Sequence, residues 1–279
     1  MSEIINYAYC DELIEKFEKV IEKPIKNDSK IYYTGVDLGT ACIVIAVLDE
    51  NFEPVAGAYR YSNVVKDGMV VDYLGAIRIV RELKQEIEEK LGVELVYAAA
   101  AIPPGTDALD CGAIKNVIQG AGFEISNLMD EPTAANKVLK IKNGVVVDIG
   151  GGTTGISVLK DGKVVYVVDE PTGGTHFSLV IAGAYGKSYN EAELFKRDVK
   201  NHRELFGVVT PVIEKVSSII SRNIKGYDID EISIVGGTCL FTDIENVIEK
   251  RTGIKTRKPK NPMFVTPLGI ALSCRQEEM

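Results

Sequence analysis

Residues 146–159 read Val-Val-Asp-Ile-Gly-Gly-Gly-Thr-Thr-Gly-Ile-Ser-Val-Leu: an apolar strand ending at an aspartate, a glycine and threonine turn, and a second apolar strand. An earlier stretch, residues 35–48, reads Gly-Val-Asp-Leu-Gly-Thr-Ala-Cys-Ile-Val-Ile-Ala-Val-Leu. The two align without a gap and place Asp37 on Asp148, an offset of 111 positions. A repeat with this domain-sized period predicts two related α/β halves rather than a solenoid.

The N-terminal residues lie outside this repeat. Apolar residues recur at helical spacing over 3–23, with Glu and Lys between them, and Pro24 ends the pattern. We therefore predict an amphipathic helix and a polar linker over residues 1–30. The helix either packs on the body of its own protein or docks on a partner.

The rest of the chain is predicted to form two α/β domains. Residues 31–144 show hairpin strands, a helix ended by Gly92, a buried strand over 93–102 and a further helix, an order typical of a mixed sheet. Residues 145–265 begin the pattern again. A C-terminal helix over 266–279 is expected to pack back on the first domain.

Composition and charge exclude several classes of protein. The 279 residues include 32 Lys and Arg against 40 Asp and Glu, a net charge of −8, which argues against a general nucleic-acid binder. Five single cysteines and two distant histidines argue against a disulfide framework, a zinc site and a histidine triad. Apolar runs are shorter than the ~20 residues of a membrane span, and a signal-peptide pattern is lacking. We expect a cytoplasmic protein with reduced thiols that binds neither nucleic acid nor membrane.

Three predicted strands each lead into a turn of glycine and threonine. The turns are Gly39-Thr40, Gly150-Gly-Gly-Thr-Thr154 and Gly236-Gly-Thr238. Glycine lets backbone amides converge on a phosphate oxygen, and threonine hydroxyls add donors. Asp37 and Asp148 end two of the strands and have the charge to hold Mg²⁺, usually through water, beside phosphates. These turns predict a phosphate-binding site.

Two other phosphate motifs are present only in part. Residues 150–155 fit the G-x-G-x-x-G pattern of dinucleotide-binding folds, with Asp169 and Glu170 near the position of the ribose acid. That pattern requires a helix at the glycines, whereas Asp161-Gly162 between two apolar strands predicts a hairpin. Gly186-Lys187-Ser188 lacks the earlier glycine and the leading strand of a P-loop. We therefore predict that a nucleotide binds between two hairpins that face each other, and that the third turn contacts its sugar and base.

The three turns resemble the phosphate-1, phosphate-2 and adenosine motifs of the actin-like ATPase superfamily, which includes actin, sugar kinases, DnaK-type chaperones, MreB and FtsA. The segment Met129-Asp-Glu-Pro-Thr-Ala-Ala135 is similar to the Glu-Pro-Thr-Ala-Ala segment of the DnaK and MreB branches. The resemblance covers residues 31–275. It implies an α/β, actin-like (ribonuclease H-like) fold of two related domains with mixed sheets around a nucleotide cleft, with ATP or ADP and Mg²⁺ as cofactors.

The resemblance also implies a role for each matching residue. Asp37 and Asp148 would hold Mg²⁺ and its waters, and Glu131 would orient the attacking water, so these three form the catalytic set. The phosphates would be cradled by Gly39, Thr40, Gly150, Gly151, Gly152, Thr153 and Thr154. The sugar and base would be contacted by Glu193, Lys196, Gly236, Gly237 and Thr238. The alternative interpretation, which does not use the family resemblance, is that Glu131 is an acid at a helix N-terminus. Glu193 and Lys196 would then be a solvated surface pair.

Three positions depart from the family pattern. Gly155 stands where many relatives carry an acid, Ala41 lacks a hydroxyl of the chaperones, and Cys239-Leu240 replaces an arginine that packs on adenine in the chaperones. One polar group near the metal is therefore missing. These departures favour nucleotide binding with weak ATP hydrolysis over fast hydrolysis.

Among compact members, the chain resembles the EutJ family of ethanolamine-utilisation proteins. The likeness rests on the leading helix and on residues 70–76, 99–104, 148–155 and 173–178. It implies a chaperone or reactivating factor for an ethanolamine-pathway enzyme or a shell protein of a bacterial microcompartment. Two alternatives stay open: an ATP-dependent filament-forming protein of MreB and FtsA type, and a small-metabolite kinase of the same clan.

Overall fold

The computed structural model describes residues 7–105 and 108–274. Within them the chain divides into two compact units. The first unit consists of residues 7–140 together with 264–274, and the second consists of residues 141–263. The outermost residues of the two predicted terminal helices, at both ends of the chain, lie outside the described residues.

The first unit combines a five-stranded sheet with helices. Its strands are β1 (Tyr33–Leu38), β2 (Cys42–Leu48), β3 (Pro54–Tyr61), β4 (Val65–Lys66), β5 (Met69–Val70), β6 (Tyr97–Ile102) and β7 (Glu124–Asp130). Its helices up to residue 140 are α1 (Ala8–Glu22), α2 (Tyr73–Leu91), α3 (Ala108–Gly120) and α4 (Glu131–Leu139). The sheet order is β3-β2-β1-β6-β7. Strands β1, β2 and β3 are antiparallel neighbours, whereas β1, β6 and β7 run parallel, and β4 and β5 pair separately.

The second unit has the same design. Its strands are β8 (Gly144–Ile149), β9 (Thr154–Lys160), β10 (Lys163–Glu170), β11 (Glu231–Val235) and β12 (Lys255–Arg257). Its helices are α5 (Gly174–Tyr185), α6 (Tyr189–Arg197), α7 (His202–Asn223) and α8 (Ile244–Thr252). The sheet order is β10-β9-β8-β11-β12, with β8, β9 and β10 antiparallel and β8, β11 and β12 parallel.

The internal repeat predicted from the sequence is confirmed. Strand β8 begins and ends 111 positions after β1, and the two sheets share one strand order. The pairing agrees as well, because Asp37 lies opposite Val44 and Asp148 lies opposite Gly155. Each unit has its own hydrophobic core between sheet and helices.

Helix α1 packs against β3 within the first unit. Its apolar positions Cys10, Leu13, Ile14, Phe17 and Val20 are buried. The Phe17 ring meets the Phe264 ring edge to face, with centroids 5.2 Å apart. Of the two alternatives for this helix, the structure shows packing on its own chain.

Helix α9 (Val265–Ala271) belongs to the first unit and packs against α4 and β1. The backbones of α4 and α9 touch, because a Cβ atom built on Gly269 would overlap the carbonyl oxygen of Ala134. Glycine permits this approach by having no side chain. The contact attaches the C-terminal part of the chain to the first sheet.

The sequence patterns did not predict strands β7 and β12. Strand β7 reads Glu-Ile-Ser-Asn-Leu-Met-Asp, and its residues after Glu124 are all half-buried, so neither face alternates cleanly. Strand β12 has only three residues. Both lie at the edges of their sheets. Edge strands are held by pairing with a neighbour more than by a hydrophobic face, so local patterning signals them weakly.

The predicted secondary structure is otherwise close to the observed one. The strand expected over 93–102 is shorter, Tyr97–Ile102, and Gly92 caps α2 in the left-handed region as predicted. Helix α7 begins at His202 and contains Pro211 in its interior. None of the helices in the described part of the chain has the length and apolar character that a bilayer crossing requires.

We predict that Gly269→Ala destabilises the first unit by at least about 2 kcal/mol, because the added methyl group overlaps backbone that no rotamer change can clear. The free energy of unfolding from a urea titration measures this change. Gly112→Ala in α3 is the matched control, since a Cβ there meets no atom within 4 Å. That control should be about 0.5–1 kcal/mol more stable than the native protein. Equal effects of the two substitutions would contradict the proposed backbone contact.

Candidate functional site

Three loops of the second unit meet at the turn that follows β8. The Thr238 hydroxyl, after β11, donates to the Gly150 carbonyl at 2.7 Å. The Gly174 amide, at the start of α5, donates to the same carbonyl at 3.0 Å, and the Thr175 amide donates to the Gly151 carbonyl at 2.7 Å. The turn is therefore held by the segments that follow β10 and β11.

The turn leaves donors available. The Gly150 amide closes it by donating to the Thr153 carbonyl at 3.0 Å. Within the residues that the structure describes, no hydrogen bond uses the amides of Gly151 and Gly152. Successive backbone amides of this kind form concavities that bind anions. The Thr154 hydroxyl differs, because it donates to the Thr172 carbonyl and so fixes the loop after β10.

Asp148 lies beside this turn, near the end of β8, and is buried. The neighbouring strand β11 ends beside it and continues into Gly236, whose φ is +92°. A Cβ on Gly236 would overlap the Asp148 carboxylate. Glycine is thus required at the first position of the third turn, both for its backbone conformation and for space.

Asp169 is a second acid near the turn. Its side chain is hydrogen-bonded to Thr153. Burial raises the pKa of Asp169 to about 6; the negative charge of Asp148 adds to this rise, and the hydrogen bond from Thr153 opposes it. In the sequence, Asp169 fits only a partial dinucleotide motif, and that pattern does not predict its position near Asp148.

Glu193 and Lys196 form an ion pair on α6, at 2.8 Å, with both side chains largely buried. The Lys196 ammonium also donates to the Gly174 carbonyl at 3.0 Å, and Glu193 accepts from Ser178 and Arg197. Burial raises the pKa of Glu193, but the charges and hydrogen bonds around it outweigh burial and hold it below its usual value. Burial lowers the pKa of Lys196. The pair is therefore not the solvated surface pair of the alternative interpretation, and it contacts the start of α5.

The segment after the third turn is held by Lys258 and His202, which belong to none of the sequence motifs. Lys258 donates to the carbonyls of Cys239 and Phe241 at 3.0 and 3.2 Å. His202 stacks on Phe241 with ring centroids 4.2 Å apart, and its Nδ1 accepts from the Thr242 amide at 3.0 Å. Burial lowers the pKa of His202. These contacts give His202 a structural role.

The predicted site residues of the first unit lie in two places. Asp37 is in β1, and Gly39 and Thr40 form the turn to β2, where the Thr40 hydroxyl accepts from the Gly68 amide at 3.5 Å. Glu131 is the first residue of α4, and Asp130 caps that helix by accepting from the Thr133 amide. In the second unit, by contrast, Thr238 is hydrogen-bonded to the turn directly, and Lys196 is connected to it through Gly174.

The two partial motifs have other structures. Strand β9, not a helix, follows the glycines at 150–152, and Asp161 and Gly162 form the predicted hairpin with φ of +52° and +75°. Gly186 ends α5 in the left-handed region, and Ser188 caps α6. The dinucleotide and P-loop interpretations are therefore excluded by local geometry.

The described residues also limit the kind of metal site that can form. They include no group of three or more His, Cys, Asp or Glu side chains arranged around one point. Mg²⁺ is usually held by one or two carboxylates, substrate phosphates and several waters. The donor chemistry at Asp148 fits such a partial site and does not fit an all-protein cage.

The chain is similar to proteins of known families. The family model described as type IV pilus assembly protein PilM matches residues 126–264. Ethanolamine utilization protein EutJ of Salmonella typhimurium is 42% identical over 91% of this chain and 89% of its own length.

Solved structures show the same fold. The crystal structure of EutJ from Carboxydothermus hydrogenoformans matches with a TM-score of 0.89 and 48% identity, over 94% of this chain and 97% of that one. The structure of MreB 5 of Spiroplasma citri bound to AMPPNP has a TM-score of 0.69 at 17% identity, over 88% and 96%. The actin-like fold predicted from the sequence is confirmed.

The raised pKa of Asp169 predicts a pH-dependent cost to folding. An unfolded aspartate has a pKa of about 3.9, so between pH 4 and 6 the folded chain binds the extra proton and stability falls as pH rises. Replacement by asparagine removes this cost. In EDTA at pH 7.5 we expect Asp169→Asn to be about 2 kcal/mol more stable than the native protein in urea unfolding. The difference should vanish near pH 4, and a difference that does not change with pH would contradict the assignment.

Proposed function

The chain belongs to the EutJ family of ethanolamine utilization proteins, and from this premise we propose that it binds ATP and ADP with Mg²⁺ and hydrolyses ATP slowly. We propose further that it works in the cytoplasm as a chaperone or reactivating factor. Its partner would be an ethanolamine-pathway enzyme or a microcompartment shell protein. The observation that carries the nucleotide proposal is the turn after β8, with two amides available and Asp148 beside it.

The turn is suited to phosphate because it is already held in shape. The Gly150 carbonyl accepts from Thr238 and Gly174, so the amides of Gly151 and Gly152 need no rearrangement to donate to a phosphate oxygen. A preformed set of donors binds with a smaller ordering cost. Two MreB structures with this fold, bound to AMPPNP and to ADP, support a nucleotide as the ligand.

The carboxylates near the turn suit a magnesium ion that accompanies the phosphates. Asp148 is the residue of the second unit that would hold Mg²⁺ through water, and Asp37 is the counterpart proposed in the first unit. When bound, Mg²⁺ neutralises phosphate charge and polarises the phosphoryl group. Without such an ion, a buried carboxylate beside the turn would repel the phosphates.

For the ribose contacts and for the hydrolysis of ATP, we propose the same residues that the family resemblance implies. Lys196 and Glu193 are proposed to contact the ribose, and Thr238 to position it, since Lys196 is hydrogen-bonded to Gly174 and Thr238 to Gly150. Glu131 is proposed to orient the attacking water from the first turn of α4. Slow hydrolysis follows from Gly155, which offers no side chain beside Asp148.

Asp148→Ala should weaken binding of Mg²⁺-ATP by about tenfold or more, because it removes the carboxylate that balances the ion. Isothermal titration calorimetry with ATP and MgCl₂ measures the dissociation constants. Asp228→Ala, in the exposed loop before β11, is the matched control and should bind as the native protein does. Equal affinities of the Asp148 variant and the native protein, or no binding to either, would refute the proposal.

The chaperone role needs its own experiment. Purified ethanolamine ammonia-lyase, inactivated during turnover, should regain activity with this protein and ATP but not with the protein and ADP. Sedimentation of the concentrated protein with ATP separates this role from filament formation, since a chaperone stays in the supernatant. Pelleting that depends on ATP, without reactivation, would favour a filament.

A further inference from the structure

Asp148, Gly155 and Asp169 lie in one row across three neighbouring strands. Gly155 of β9 is opposite Asp148 of β8 on one side and opposite Asp169 of β10 on the other. Residues directly opposite in antiparallel strands extend their side chains on the same face of the sheet. The two acids therefore share a face, roughly 9–10 Å apart at the backbone, and glycine places no side chain between them.

A β-bulge creates this row. The β9–β10 hairpin pairs Leu159 with Val164, but the register shifts between Val164 and Tyr166. With an unbroken register, Val168 would lie opposite Gly155 and Asp169 would extend from the other face. One extra residue in β10 therefore moves a carboxylate to the face of Asp148, and bulges re-aim side chains in this way beside functional sites.

The Asp169 carboxylate is connected to the turn and is only partly satisfied. It is hydrogen-bonded to Thr153, the last residue of the turn before β9. Its Oδ1 atom is buried and has no hydrogen-bond partner in the described part of the chain. An unsatisfied buried oxygen next to a second acid is unfavourable to the protein alone. A divalent cation with its water shell would provide both the positive charge and the donors.

We propose that Asp169 supplies the second carboxylate of the phosphate and magnesium site in the second unit, from the strand beyond Gly155. This assignment rests on the proposed nucleotide function and names a residue that the turn motifs do not contain. Asp148 and Asp169 together hold the hydrated ion, and Thr153 keeps the Asp169 carboxylate beside the turn. Gly155 contributes no side chain to this site, and Asp169 supplies the carboxylate from the neighbouring strand β10 instead.

The test measures how strongly Mg²⁺ increases the affinity for a fluorescent methylanthraniloyl-ADP. For the native protein, we expect the dissociation constant in EDTA to exceed that in 5 mM MgCl₂ by about tenfold or more. Asp169→Asn should reduce this ratio by about fivefold while leaving affinity in EDTA unchanged or tighter, because one negative charge beside the phosphates is removed. Asp169→Glu keeps the charge and should retain most of the ratio.

Glu170→Gln is the matched control. Glu170 is the next residue of β10, on the opposite face, where it pairs with Arg222. It should show the native ratio. A second readout is the binding of Mn²⁺ in the presence of ADP, measured from the electron paramagnetic resonance signal of the free ion. Asp169→Asn should weaken Mn²⁺ binding in parallel, so more free ion remains in solution.

Each outcome has one interpretation. If Asp169→Asn keeps the native Mg²⁺ dependence, or weakens binding equally in EDTA and MgCl₂, the assignment is overturned while the nucleotide function stands. If the native protein binds no nucleotide under either condition, the proposed function fails, and the assignment fails with it. Thermal melting of each variant confirms that it is folded.

Discussion

The carbonyl oxygen of Gly150 accepts two hydrogen bonds, and the candidate site of the second unit depends on them. One comes from the Thr238 hydroxyl after β11, and the other comes from the Gly174 amide at the start of α5. A carbonyl has two lone pairs, so both donors can be accommodated at once. The turn has one hydrogen bond of its own, from the Gly150 amide to the Thr153 carbonyl, and these two segments from different strands add tertiary contacts to it. Its remaining amides are therefore held in a defined direction.

The two units show how one architecture can carry different chemistry. Both have a strand ending near an aspartate and a turn into an antiparallel partner, and the matched pairs are Asp37 with Val44 and Asp148 with Gly155. Val44 is a buried apolar residue, whereas the glycine leaves its position without a side chain. Only the second unit places another acid, Asp169, in the same row. The repeat thus maintains the scaffold, and single positions within it decide the electrostatics.

Much of the fold follows from local patterns. The glycine turns, the apolar strands around them and the hairpin at Asp161-Gly162 are signals within short stretches, because backbone conformation and burial constrain each residue directly. Strands β7 and β12 are different, since polar or very short edge strands depend on the neighbour with which they pair. For the Glu193 and Lys196 pair, spacing on a helix predicted their proximity. Their burial against the start of α5 required the packing of two helices.

The sequence by itself determined the α/β class, the repeat at 111 residues, the three glycine turns and the family. Each of these features depends on particular residue types at fixed spacings along the chain, so it can be recognised without the structure. Only the tertiary structure decided which acids lie on the same face of the sheet as Asp148. A bulge in β10 moves Asp169, in place of Val168, opposite Gly155. Side chains alternate along a strand, so a shift of one residue exchanges the two faces, and the pairing of the whole sheet decides where that shift occurs.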